Sequence, residues 1–92
     1  SALLDHAAVA ECAVIAKPDP KRTNIVKAFV VLRAGFEPDD ATAKTLQDFT
    51  KNEIAPYKYP REIEFVSELP KTETGKLQRF RLRNQEKDAA DS

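Results

Sequence analysis

Cysteine, histidine, net charge and long apolar runs are all scarce in this 92-residue chain, and each shortage excludes a class of function. The one cysteine, Cys12, cannot close an internal disulfide, so the framework is not that of a disulfide-stapled secreted mini-protein. Set in an apolar run, it reads as a small buried hydrophobe. His6 and Cys12 are the only soft ligands, which provides no metal constellation, and His6 reads as a surface or helix-end residue. No Ser-His-Asp or Cys-His arrangement has a workable spacing. Fifteen basic side chains are matched by fifteen acidic ones, so no global field draws the chain to nucleic acid or to an anionic membrane. No stretch approaches the roughly 20 apolar residues of a membrane span. No secretion signal is visible, and the expected location is cytoplasmic. The start, "SALLDH", has an apolar helical pattern without an initiator methionine. It is expected to be the back half of a helix in a longer protein.

The order α-β-β-α-β-α predicts a small α+β domain, a three-stranded sheet flanked by helices. Leu3, Leu4 and Ala7 share a helical face. "VAECAVIAKPD" is a strand stopped by the prolines at Pro18 and Pro20. Ile25 to Leu32 is rich in β-branched residues and is expected to be the central strand. Asp39 or Asp40 caps the next helix, whose inner stripe is Ala43, Leu46 and Phe49 and which Pro56 ends. "PYKYP" is a stiff connector. "REIEFVSEL" alternates, with Ile63 and Phe65 opposite Glu62 and Glu64, as in a half-buried strand. "KLQRFRLRNQEK" is a basic helix with Leu77 and Phe80 inward. The domain is expected to occupy residues 1–87, with 88–92 a disordered tail.

Between the last strand and the last helix lies "LPKTETGK", Leu69 to Lys76. Gly75-Lys76 invites comparison with a Walker phosphate loop. That loop needs glycine five positions earlier and Ser or Thr after the lysine, and here those places hold Pro70 and Leu77. What remains is one ammonium on an exposed loop, a mobile point charge able to meet carboxylate and phosphate oxygens together. The plainer reading makes Lys71 and Lys76 solvated charges, with Thr72 or Thr74 capping the helix. Lys71, Lys76, Arg79, Arg81 and Arg83 against Glu73 also form a local basic stripe. It suggests the alternative of a small nucleic-acid-binding α+β module, tested by salt-dependent retention on single strands. With Phe80 turned inward, no aromatic platform would interleave with those charges.

"LPKTETGKLQRFRLR" resembles the C-terminal signature of the adenylate-forming superfamily. "APYKYPREIEFV" and "PDPKRTNIVKAFVVL" are similar to medium-chain acyl-CoA synthetases and benzoate-type aryl-CoA ligases. The likeness runs from Ser1 to about Lys87. It implies a lid domain that closes over a large N-terminal domain, its partner, which binds ATP, Mg²⁺ and the carboxylic acid. No nucleic acid or membrane partner is implied. By that resemblance Lys76 is the lysine that enters the active site for adenylation, and Gly75 lets the loop approach the nucleotide. Arg22, Lys51, Tyr59, Pro60 and Arg61 are implied to face CoA. The family often has glycine after the arginine where this chain has Thr23. A lysine acetyltransferase acting on Lys76 is a further implied partner. A carrier protein in place of free CoA is the alternative within the family. An inert interaction domain is a further reading.

Overall fold

The computed structural model describes residues 2–53 and 58–91, and of Ala90 and Asp91 only the backbone. Two long strands form a hairpin, β1 (Val9–Asp19) and β2 (Thr23–Leu32), paired antiparallel from Val9↔Leu32 to Asp19↔Thr23. A register irregularity lies between Val9 and Glu11. Helix α1 (Asp40–Glu53) then crosses over, and β3 (Glu62–Phe65) lies parallel to β2 on its other side, from Lys27↔Glu62 to Val30↔Phe65. The sheet order is β1-β2-β3, so β2 is central as its composition predicts. Helix α2 (Arg79–Asp91) completes the chain.

Alternation along the strands sends side chains to two cores, one on each face of the sheet. On the α1 face Val9, Ala28, Val30, Leu46 and Leu3 pack with Ile63 and Phe65. On the α2 face Ala13, Ile15, Phe29, Leu69 and Leu82 pack with Val31 and Leu77. Because β2 is covered on both sides, Lys27, Ala28, Phe29 and Val30 are buried in succession. Asp39 is the cap that α1 uses: the Thr42 N–H donates to its Oδ1 at 2.9 Å. That hydrogen bond holds the Asp39 carboxyl below its ordinary value.

Several expectations are corrected. The first element is a 3-10 turn, Ala2–Asp5, rather than an α-helix. The last helix begins at Arg79, not within "GKLQ", since Leu77 is drawn into a bridge with Lys71. Phe80 therefore points outward, 51% exposed, and Leu82 takes the buried place. The stretch expected to be a tail is helical as far as Asp91. Pro56 lies outside the described residues.

Glu62 and Glu64 are not merely solubilising. Their alternation places them on the α2 face, where Lys17 Nζ meets Glu62 Oε2 at 2.9 Å and Lys27 Nζ meets Glu64 Oε1 at 3.0 Å. Glu86 of α2 pairs with Lys27 and lies 3.5 Å from Lys17. The Lys27 ammonium also sits 4.9 Å from the Phe29 ring centroid. This network ties α2 to β2 where the core ends.

Candidate functional site

The register of the sheet separates the expected site residues into two groups. Lys76 belongs to the end where β1 begins and β2 finishes. Its loop is tied there by an ion pair between Lys71 and Glu11, and Glu11 lies opposite Val31. Arg22 and Arg61 belong to the other end. Arg22 is in the β1–β2 turn, and Arg61 donates its backbone N–H to Val26 O at 2.9 Å just before β3 begins. The eight steps along β2 from Thr23 to Val31 span roughly 26 Å at the rise of an extended strand.

Around Lys76 the chain makes a tight hairpin. Lys71 and Leu77 form an antiparallel bridge. Thr72 N–H donates to Lys76 O at 2.8 Å, and Gly75 N–H donates to Thr72 O at 2.9 Å. Three residues, Glu73, Thr74 and Gly75, thus form the loop, with Gly75 at φ +86°. That is the pattern of a three-residue hairpin whose last position requires a left-handed residue, which glycine supplies without steric cost. A Cβ at Gly75 would meet nothing within 4 Å in this chain, so its torsion rather than crowding here demands glycine. The Thr72 hydroxyl accepts from the Lys76 N–H at 3.0 Å and lies 3.0 Å from the Thr74 hydroxyl. Neither threonine caps α2. Lys76 itself is exposed and makes no ion pair among the described residues.

At the other end, Lys51 from the last turn of α1 and Arg61 share one aromatic ring. Lys51 Nζ is 4.9 Å and Arg61 Cζ 5.0 Å from the Tyr59 centroid. Two cations are thereby gathered on one π-face donor with no carboxylate between them among the described residues. Gln47 Nε2 fixes the segment by donating to Pro60 O at 3.1 Å and Arg61 O at 3.0 Å. Pro60 is buried, so of the expected CoA set it anchors the segment rather than offering surface. Arg22 is exposed beside Thr23, whose φ of +63° is a left-handed conformation that glycine would adopt freely. Gln47, Thr72 and Glu11 were not legible as site residues, because each acts through a partner distant in sequence or through a backbone group.

With this geometry in place, comparison with known proteins decides the family. Residues 1–76 match the AMP-binding enzyme C-terminal domain. The chain belongs to that family. It is 57% identical over 88 residues to acyl-coenzyme A synthetase ACSM4, mitochondrial, of Rattus norvegicus, covering 94% of this chain and 15% of that protein. It is 56% identical over 88 residues to the human mitochondrial acyl-coenzyme A synthetase ACSM1, with the same coverage. Among solved structures, Brucella canis acyl-CoA synthetase superposes with a TM-score of 0.93 at 52% identity, over 97% of this chain and 16% of that one. A benzoate CoA ligase from Burkholderia xenovorans LB400 gives 0.82 at 49%, over 89% and 17%. The chain therefore spans about a sixth of the length of the proteins it matches.

Two expectations change with the family known. The cytoplasmic location is overturned: the rat and human relatives carry "mitochondrial" in their names. The nucleic-acid reading finds no support among these relatives, although its outward aromatic, Phe80, is exposed after all. Among the described residues no group of three or more His, Cys, Asp or Glu side chains could hold a metal ion.

Proposed function

We propose that this AMP-binding C-terminal domain is the lid of an ATP-dependent acyl- or aryl-CoA synthetase, and that its two ends serve two half-reactions. In the first, a carboxylate oxygen of the acid attacks the α-phosphorus of ATP. The α–β anhydride bond breaks and pyrophosphate leaves, giving the acyl-adenylate. In the second, the CoA thiol attacks the acyl carbonyl, loses its proton, and AMP departs. The acid, ATP and Mg²⁺ belong to the N-terminal domain, the proposed partner of this chain, and alone the chain is expected to have no adenylation activity.

The observation that carries this reading is a lysine at a hairpin tip with no acidic partner among the described residues. The carboxylate and the α-phosphate are both anionic, and their approach is opposed by Coulomb repulsion that a dry cleft magnifies. The Lys76 ammonium between them offsets that repulsion most where charge gathers in the transition state. Gly75 sets the turn that presents it. At the other end Arg22, Lys51 and Arg61 provide cations for the CoA phosphates, with the guanidinium forks suited to phosphate oxygens. Tyr59 holds Lys51 and Arg61 together, and Pro60 stiffens the segment. Rotation of the lid would present each end in turn.

The test is the full-length enzyme with Lys76→Ala. Pyrophosphate release from acid and ATP is expected to fall about 10²- to 10³-fold, the usual cost of losing one transition-state charge contact. Thioester formation from supplied acyl-adenylate should survive. Unchanged rates in both steps would refute the assignment of Lys76. Acetylation of Lys76 would remove the same charge, which makes a lysine acetyltransferase a proposed regulatory partner. Mass spectrometry of the native protein that always finds Lys76 unmodified would count against it.

A further inference from the structure

We propose that Thr72 is the positioning residue for Lys76, its hydroxyl fixing the plane of the Gly75–Lys76 peptide so that the ammonium is delivered from one direction. This rests on Lys76 being the adenylation lysine. Both backbone polar groups of Lys76 are bound by this one residue: the carbonyl accepts from Thr72 N–H at 2.8 Å, and the N–H donates to Thr72 Oγ1 at 3.0 Å. The second bond matters because of its neighbour. Gly75 has no Cβ to confine its torsions, and rotation there would swing the Lys76 N–H, its Cα and the whole side chain. With the Thr72 hydroxyl as acceptor that rotation breaks a hydrogen bond. The hydroxyl is itself held by the Thr74 hydroxyl at 3.0 Å. The base of the hairpin is held in turn by the Lys71–Glu11 pair and by Gln78 N–H donating to Pro70 O at 2.9 Å. The bonds run from β1 through Lys71 and Thr72 to Lys76, while the four-carbon arm stays unbound. A charge delivered into an assembled site acts only if its origin is fixed, and a displacement near 1 Å can cost about a hundredfold in rate.

The experiment uses the full-length enzyme with Thr72→Val, Thr72→Ser and Lys76→Ala, assayed in both half-reactions. Valine keeps the shape and removes the acceptor. Thr72→Val is expected to lower kcat for pyrophosphate release about tenfold or more, with KM for ATP little changed. It should leave the thioester step from supplied acyl-adenylate at the wild-type rate. Thr72→Ser, which keeps the hydroxyl, is expected to restore adenylation to within about twofold of wild type. Glu11→Gln, which loosens the base of the hairpin without touching the turn, should lower adenylation a few-fold and also spare the second step. It serves if the valine variant fails to fold. Adenylation by Thr72→Val at the wild-type rate would overturn the proposal, as would Thr72→Ser as slow as Thr72→Val, or equal losses in both half-reactions. If Lys76→Ala adenylates normally, the assignment of Lys76 falls and the proposal with it. If Lys76→Ala collapses and Thr72→Val does not, only the positioning role is wrong.

Discussion

Lys27 and Lys76 are the same residue type under opposite treatment. The Lys27 side chain is 8% exposed, in contact with Glu64, Glu86 and the face of Phe29. Lys76 is exposed, and its backbone rather than its ammonium is held. The first is an ammonium whose every approach is filled; the second is delivered by a fixed peptide and left without an ion-pair partner among the described residues. The difference separates a charge used to join two elements from one available to something outside the chain. The Lys51–Tyr59–Arg61 cluster follows the second pattern, with an aromatic ring where a carboxylate would neutralise it.

The same substitution at both lysines should break the comparison most widely. Lys27→Met leaves Glu86, 13% exposed, with only the more distant Lys17 among the described residues. Removing one partner of a buried pair costs about 3–5 kcal/mol, and the half-exposed Glu64 discounts this toward about 2–3 kcal/mol. Lys76→Met, on an exposed turn, should change stability by no more than about 0.5 kcal/mol. Urea unfolding of the 92-residue chain measures both, and equal losses would end the distinction.

Acidity offers a second handle on the same network. Burial alone would push the Glu86 carboxyl up, but the hydrogen bond and charge of Lys27 outweigh it and hold the group below its ordinary value of 4.5. Burial likewise opposes the Lys27 charge, and its bonds to Glu86 and Glu64 raise it above 10.5. Glu86 therefore contributes stability that is present above pH 4.5 and lost as pH falls through its folded value. Lys27 contributes stability that is present below pH 10.5 and lost as pH rises through its own. The stability gap between wild type and Glu86→Gln should shrink on acidification below 4.5. A gap that widens there would show that the pairing is not what holds the carboxylate ionised.

How much of this was legible beforehand follows from the range of each signal. β1 covers "VAECAVIAKPD" as expected, because β-branched residues act locally, but Pro18 does not stop it: it is paired with Asn24 on the edge strand, and Pro20 lies just past the end. The central place of β2 could be read from its run rich in β-branched residues, in which Lys27 is the one charge between Ile25 and Leu32. The orientation of α2 could not. Its phase is set by Leu77 being claimed by the bridge to Lys71, which rotates Phe80 outward and Leu82 inward. Glu62 and Glu64 read as a solvent face because alternation reveals that a face is polar, not that a helix from the end of the chain will bring Glu86 against it. Roles for Lys76 and Gly75 were inferred from their motif; Thr72 lies in the same motif, but nothing in the sequence shows that its hydroxyl meets the Lys76 N–H.

At the cationic cluster the expected effect is smaller. Lys51→Ala with Arg61→Ala in the full-length enzyme removes two charges proposed to meet the CoA phosphates, and KM for CoA should rise about tenfold, near 1.4 kcal/mol. Adenylation should be unaffected, since that step is assigned to the other end of the sheet. Stability should fall by no more than about 1 kcal/mol, the worth of exposed cation–π contacts. A loss confined to adenylation would reverse the assignment of the two ends.

The smallest effect concerns the two hairpin tips, each of which sets a cation beside a residue with positive φ. Lys76 follows Gly75 at +86°, and Arg22 precedes Thr23 at +63°. Glycine takes that conformation freely, whereas a side chain with a Cβ meets the following carbonyl at a cost of roughly 1–2 kcal/mol, and β-branching makes threonine the worse case. The turn persists because its backbone is held elsewhere: Asp19 Oδ2 accepts from Lys21 N–H at 3.1 Å, and Asn24 N–H donates to Arg22 O at 2.5 Å. Thr23→Gly removes the strain but frees the unfolded chain, which costs back about 0.4–1 kcal/mol. The balance favours the variant by about 0.5–1 kcal/mol in urea unfolding. A destabilised Thr23→Gly would mean that the threonine side chain makes up its strain through contacts at the tip. The two cations would then be presented by unlike means, one on a relaxed turn and one on a turn that its side chains hold.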